Sequence, residues 1–196
     1  LASYMVEGDS SRDFQNVRVW AYKSPKDFGI LIDKLVDCIS SYLIAQIDNG
    51  CEAIQIFDTW AGILPPDQFE RWVIEPVSKI VVKVKEKHRE IPIIGFPKGA
   101  GHLYKKFIDE TAVDGVSIDS TVDLLWVKQN IQPHCVVQGN LDNMLLLAGG
   151  AQLESSVKEI LYHLNDGPFI FNLGHGVLPE TPVSHVKKLL ELVRQR

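Results

Sequence analysis

The sequence predicts an α/β fold in which helices flank a parallel sheet. Three observations lead there. Five short runs, residues 53–57, 91–96, 115–118, 135–138 and 169–173, are rich in β-branched residues and nearly continuously apolar, as strands covered on both faces are. Stretches with helical periodicity separate them. The alternation continues to the C-terminus with no linker, low-complexity tract or break in composition, so residues 1–196 read as a single domain.

The chain opens on Leu1-Ala2-Ser3-Tyr4-Met5-Val6-Glu7-Gly8, with no initiator Met and no approach to a first element; it is expected to be the C-terminal part of a longer protein. A helix over 27–48 carries Ile30, Leu31, Leu35, Ile39, Leu43 and Ile47 on one face. The first strand ends in Phe57-Asp58-Thr59-Trp60-Ala61-Gly62. Alternation sends Phe57 and Thr59 to one side, an aromatic wall and a hydroxyl for a pocket. The competing reading is a core Phe and a capping Asp. A helix over 67–88 follows, with Asp67 after Pro66 as its N-cap and Phe69, Val73, Val77, Ile80, Val81 and Val84 facing inward.

The second strand ends in Gly95-Phe96-Pro97-Lys98-Gly99-Ala100-Gly101-His102, whose glycines permit close approach of a ligand. Lys98 reads as a solvated loop lysine, the alternative being a grip on an acidic substrate. The spacing is not that of a nucleotide-binding P-loop. After a helix over 103–110, the third strand ends at Asp119, read as an N-cap for the helix over 122–130 in preference to a pocket carboxylate. The fourth strand runs into Gln138-Gly139-Asn140-Leu141-Asp142, a turn that either fixes loop geometry or touches substrate. A helix over 153–164 and the fifth strand lead to Asn172-Leu173-Gly174-His175-Gly176, an imidazole between glycines at a strand tip. Ser184 reads as the N-cap of a last helix over 184–195.

A doubly wound open sheet and a (β/α)8 barrel both fit this alternation. No Gly-x-Gly-x-x-Gly follows the first strand, and polar residues close several strands, which favours the shared catalytic face of a barrel. Five strands do not close eight, so the remaining strands are expected before Leu1.

The chain has 45% hydrophobic and 23% charged residues and a net charge of −5, the composition of a globular protein. Its densest basic cluster is the pair Lys187-Lys188, which argues against nucleic acid and anionic membrane as partners. No apolar run reaches the length of a membrane span, and no signal-peptide pattern opens the chain. Cys38, Cys51 and Cys135 read as buried thiols of a reducing, cytoplasmic compartment. A zinc site is not expected, since no second His/Cys pair joins His134 and Cys135 at ligand spacing.

Four segments together carry a resemblance: Tyr4-Met5-Val6-Glu7-Gly8, Phe57-Asp58-Thr59-Trp60-Ala61-Gly62, Gln138-Gly139-Asn140-Leu141-Asp142, and Asn172-Leu173-Gly174-His175-Gly176 through Pro182. In that order they resemble the motifs of the uroporphyrinogen decarboxylase family along the whole chain. The resemblance implies the C-terminal portion of a (β/α)8 TIM barrel, with about five of eight strands present. It implies removal of the four acetate carboxyl groups of uroporphyrinogen III, giving coproporphyrinogen III in porphyrin and haem biosynthesis. No metal or organic cofactor is implied, and a homodimer is. By motif position, Tyr4, Thr59 and His175 line the substrate cleft. The family's Arg-Gln-Ala-Gly-Arg loop and essential Asp belong before Leu1. No catalytic residue is therefore assigned in this chain, and the chain alone is expected to be inactive. Asp9 and Asn143 depart from the pattern, where a small residue and a proline are usual. A related barrel, the cobamide-dependent methyltransferase, holds zinc through His-x-Cys and a distant Cys; here His134 and Cys135 are adjacent and no Cys follows, which disfavours it. A non-catalytic remnant is the other alternative.

Overall fold

A computed structural model describes residues 1–9 and 11–194. Helices α1 (Ala2–Glu7), α2 (Gln15–Lys23) and α3 (Pro25–Asp48) lead into β1 (Ile54–Asp58). A 3₁₀ turn (Ala61–Ile63), α4 (Pro66–Phe69), a π-helical stretch (Glu70–Ile74) and α5 (Glu75–Lys87) come next. Then come β2 (Ile93–Pro97), α6 (Leu103–Thr111), β3 (Gly115–Ser117), α7 (Leu124–Asn130), β4 (Val136–Leu141), α8 (Asn143–Ala148), α9 (Gly150–Leu164), β5 (Phe169–Leu173) and α10 (Val183–Arg194).

All five expected strands form one sheet in the order β1-β2-β3-β4-β5, and every neighbouring pair is parallel. A doubly wound sheet reverses its strand order at a switch point. Here the order never reverses, which is the winding of a barrel. The register separates two faces. Ile54, Ile93, Val116, Val137 and Leu141 belong to the main core, with Val36, Val73, Ile80 and Val84 from α3, the π-helical stretch and α5, and Phe107, Val127 and Val157 from α6, α7 and α9. The opposite face carries Gln55, Phe57, Ser117, Gln138 and Ile170. There Gln138 Nε2 donates to Gln55 Oε1 at 3.1 Å and Ser117 Oγ at 3.2 Å. Phe57 is 67% and Ile170 43% exposed, so the edge strands β1 and β5 are not covered on both faces as expected, whereas β2, β3 and β4 are buried almost throughout. The concave face is thus open at the edge residues Phe57 and Ile170, while Ser117 and Gln138 between them are buried.

Several boundaries differ for identifiable reasons. Helix α3 starts two residues before Asp27, because Pro25 suits the first helical position, where its missing N–H costs nothing. Its buried residues are Phe28, Val36, Ser40 and Leu43, while Ile30 points outward at 58% exposure. The expected helix over 67–88 is interrupted by Pro76. A proline ring crowds the carbonyl four residues back, and the backbone answers by widening: Glu75 N–H bonds Glu70 O, a π-type step. Asp67 lies in the first turn of α4, whose N-cap is Pro65. Ser184 lies inside α10, not at its cap, and the expected helix end at Gln195 lies outside the described residues.

The opening segment is itself helical, contrary to the sequence reading. Glu7 ties α1 to the first turn of α2: its Oε1 accepts from Val17 N at 3.0 Å and its Oε2 from Asn16 Nδ2 at 2.9 Å. Phe14, Val17, Ala21 and Phe28 form a small second core, packed by Trp20, Trp60 and Trp72. It fastens α1 and α2 beside the tip of β1.

The cysteines depart from expectation: Cys38 and Cys51 are exposed and only Cys135 is half-buried. Burial pushes the Cys135 thiol up to about 11. The thiolate is the reactive form, so at neutral pH a disulfide reagent should modify Cys38 and Cys51 roughly a hundredfold faster than Cys135. Peptide mapping after timed labelling reads this directly. Equal rates would mean that α6 and β3 do not cover Cys135. Among the described residues no helix is long and apolar enough to cross a membrane.

Candidate functional site

The parallel sheet brings the polar ends of all five strands to one side. At the tip of β1 a cavity of about 440 Å³ opens beside the strand's unpaired edge. Tyr4, Phe57, Asp58, Thr59 and Trp60 line it, against apolar side chains of α3 and α5. Trp60 Nε1 donates to the Tyr4 hydroxyl at 3.0 Å, tying α1 to the strand tip. Burial raises the Asp58 carboxyl above the usual carboxylate range. Its Oδ1 accepts from Trp60 N at 3.3 Å.

Asp119 is the buried hub of the next two tips, with 3% exposure. Its Oδ2 accepts from Gly99 N at 2.7 Å and from the Tyr104 hydroxyl at 2.9 Å. Its Oδ1 accepts from Thr121 N at 3.0 Å and from the Thr121 hydroxyl. Burial alone would push its pKa up, but the bonds from Thr121, Gly99 and Tyr104 together outweigh burial and hold it below the usual range. Burial first, then the Asp119 charge, raises the Tyr104 phenol. The expected capping role is thus corrected: Asp123 caps α7, accepting from Trp126 N at 2.7 Å, while Asp119 fastens the glycine-rich loop of β2 to β3.

The Gly-Asn pair is part of β4, not a turn beyond it. Asn140 Nδ2 donates to Asp119 O and Val122 O, both at 3.1 Å. Asp142 caps α8, accepting from Met144 N at 2.9 Å. Asn143, the departure from the family pattern, donates through Nδ2 to Gly176 O at 2.8 Å. On the other side of His175, Gly174 N donates to Leu141 O at 2.7 Å. The histidine loop is thereby pinned on both flanks to the end of β4. His175 itself is exposed, and desolvation together with the nearby Lys98 ammonium lowers its pKa.

Of the three residues singled out from the sequence, Tyr4 and Thr59 meet in one cavity. His175 stands at the same end of the sheet but at the tip of β5, outside that lining. Sequence reasoning underrates Asp119 and does not place Asn143; the three consecutive small residues after Lys98, one of which bonds Asp119, are the available signal. His102 is exposed at the start of α6. Among the described residues no three His, Cys, Asp or Glu side chains gather at metal-binding distance.

Comparison with known proteins adds to this geometry. The family model described as Uroporphyrinogen decarboxylase (URO-D) matches residues 1–196. The uroporphyrinogen decarboxylase of Rhodospirillum rubrum is 54% identical over 194 residues, covering 99% of this chain and 56% of that protein. That of Chelativorans sp. (strain BNC1) is 46% identical over 195 residues, covering 100% of this chain and 57% of that protein. The chain therefore spans a little over half the length of these relatives. A solved structure, a methyltransferase from Methanosarcina mazei, superposes with a TM-score of 0.78 at 20% identity, over 91% of this chain and 52% of that one. At that identity the likeness is one of fold.

Proposed function

The chain belongs to the uroporphyrinogen decarboxylase family, and on that premise we propose that its full-length protein removes the acetate carboxyl groups of uroporphyrinogen III to give coproporphyrinogen III, without a cofactor. The observation that carries this reading is the family match along all 196 residues, at 54% and 46% identity to named decarboxylases.

The chemistry asks for three things. Loss of carbon dioxide leaves an electron pair that a protonated pyrrole ring accepts, so the substrate supplies its own sink. The ring cation formed on protonation is stabilised by a fixed carboxylate in a water-poor cleft. The remaining carboxylates of the substrate need donors that hold them in place. This chain's part in the proposal is the third. Tyr4 and Thr59, which line one cavity, would each supply a hydroxyl, and the neutral His175 imidazole would supply a ring N–H from the tip of β5. The stabilising carboxylate is not assigned to any residue of this chain. A homodimer in the cytoplasm completes the reading.

The test is coproporphyrinogen formation from uroporphyrinogen III by the full-length protein. Thr59→Val and His175→Gln should each lower kcat/KM about tenfold or more, the loss expected when a hydrogen bond to a charged group goes. Absence of any decarboxylated product from the folded full-length protein overturns the reading, and sedimentation at micromolar concentration decides the dimer.

A further inference from the structure

The geometry points to Lys98 as the cationic grip of a carboxylate subsite at the strand ends, between the tips of β2 and β5. This rests on the decarboxylase reading for the identity of its ligand, a polycarboxylate, but on the fold for its place.

Lys98 is the only Lys or Arg in the five segments that join a strand to the helix after it. The other basic side chains lie on the helices or in the remaining connections. Lys98 is thus the one cation these segments supply, Arg18 of α2 lining the separate cavity at the tip of β1. Its backbone is built in from three directions. Lys98 N donates to Asp58 O at 3.0 Å, which continues the β1–β2 ladder one step beyond β2. Gly62 N donates to Lys98 O at 3.0 Å. The following amide, Gly99 N, is held by the buried Asp119 carboxylate at 2.7 Å.

Because the ladder continues, strand alternation continues with it. Lys98 falls on the same face as Phe96, which stacks edge-on against Phe57 with ring centroids 6.1 Å apart. That is the concave face, not the helix-covered core. The side chain is half-buried, and among the described residues it forms no ion pair with any carboxylate. A partly desolvated ammonium with no internal partner is available to an anion from outside. His175, at the tip of β5, shares this end of the sheet with Lys98, whose charge adds to desolvation in lowering the imidazole pKa. One substrate carboxylate held by both would accept one hydrogen bond from each.

The experiment uses the full-length protein and two readouts. Uroporphyrin III, the oxidised and unreactive form of the substrate, is titrated by fluorescence; turnover of uroporphyrinogen III is measured separately. Lys98→Gln should weaken uroporphyrin binding about 10- to 100-fold and raise KM similarly, with kcat within about threefold. Lys98→Arg should recover most of the affinity. Lys105→Gln removes the same charge from α6 and should leave binding within about twofold. Binding by Lys98→Gln within twofold of the parent, in a protein that melts normally, overturns the proposal, as does failure of the parent to bind uroporphyrin. A protein that binds the porphyrin through Lys98 yet makes no coproporphyrinogen upholds the subsite and sinks only the decarboxylase reading.

Discussion

Replacing Asp119 with alanine is expected to destabilise the fold by about 2–4 kcal/mol, the scale for removing a charged acceptor that several neutral donors share. Four donors lose their acceptor at once: Gly99 N–H, the Tyr104 hydroxyl, and the N–H and hydroxyl of Thr121. Of these only the Tyr104 hydroxyl is buried, and left unpaired it costs about 1–3 kcal/mol; Gly99 and Thr121 are exposed, so water replaces part of what their donors lose. Against a typical total stability of about 5–15 kcal/mol, such a loss is a large fraction of the whole. Asp119→Asn keeps one acceptor oxygen and should lie between the two. The same residue sets an acid limit. Its folded pKa lies below that of an unfolded aspartate, about 3.9, so the folded state binds the proton less readily. Its contribution is present above the unfolded value and is lost as pH falls through the folded one. Urea melts from pH 6 down to pH 2 should show the parent losing stability at the acid end, and the alanine variant losing less. Equal midpoints at pH 7 for parent and Asp119→Ala would mean that the four-donor hub does not hold the strand ends.

The strands are legible because their signal is local. Short β-branched runs between amphipathic stretches define both the element and, through alternation, a parallel sheet. Asp119 is not legible for the opposite reason. Only Thr121 is near it in sequence; Gly99 and Tyr104 come from the preceding β–α unit, and nothing in Asp-Ser-Thr-Val announces them. Lys98 reads as solvated because an exposed lysine is the ordinary outcome in a glycine-rich loop. What fixes it, the ladder bond to Asp58 and the closure by Gly62, depends on the register of β1 against β2. Cys38 reads wrongly as buried because its apolar neighbours on the helix do not share its face. Helices α1 and α2 are too short for a strong periodic signal, and their packing rests on scattered aromatic residues from Phe14 to Trp72. The motif residues Glu7, Asn140 and Asp142 stand out in the sequence, but in the fold they serve as caps and ties, which a motif alone does not separate from contact with substrate.

Gly174→Ala is expected to cost about 1–3 kcal/mol and, more tellingly, to lower kcat/KM of the full-length protein by about two orders of magnitude. A Cβ on Gly174 would lie 2.4 Å from Ser120 N, 3.0 Å from Asp119 C and 3.1 Å from Ser120 Cα. All three are backbone atoms of the segment after β3, so no side chain can turn aside. An ordinary contact needs roughly 1 Å more, and two movements supply it. The histidine loop can lift from the sheet, which breaks the 2.7 Å bond from Gly174 N to Leu141 O. Alternatively the β3 tip gives way, which disturbs the Asp119 hub directly beneath. Both displace His175 relative to Lys98, and a 1 Å misplacement of a positioning group is enough to cost about a hundredfold. Gly176 provides the comparison within the same loop. A Cβ there meets nothing within 4 Å, so Gly176→Ala should change stability by no more than about 0.5 kcal/mol. Urea midpoints of the two variants, with coproporphyrinogen formation measured beside them, give the contrast. Wild-type turnover and an unchanged midpoint for Gly174→Ala would show that the loop does not rest on the end of β3.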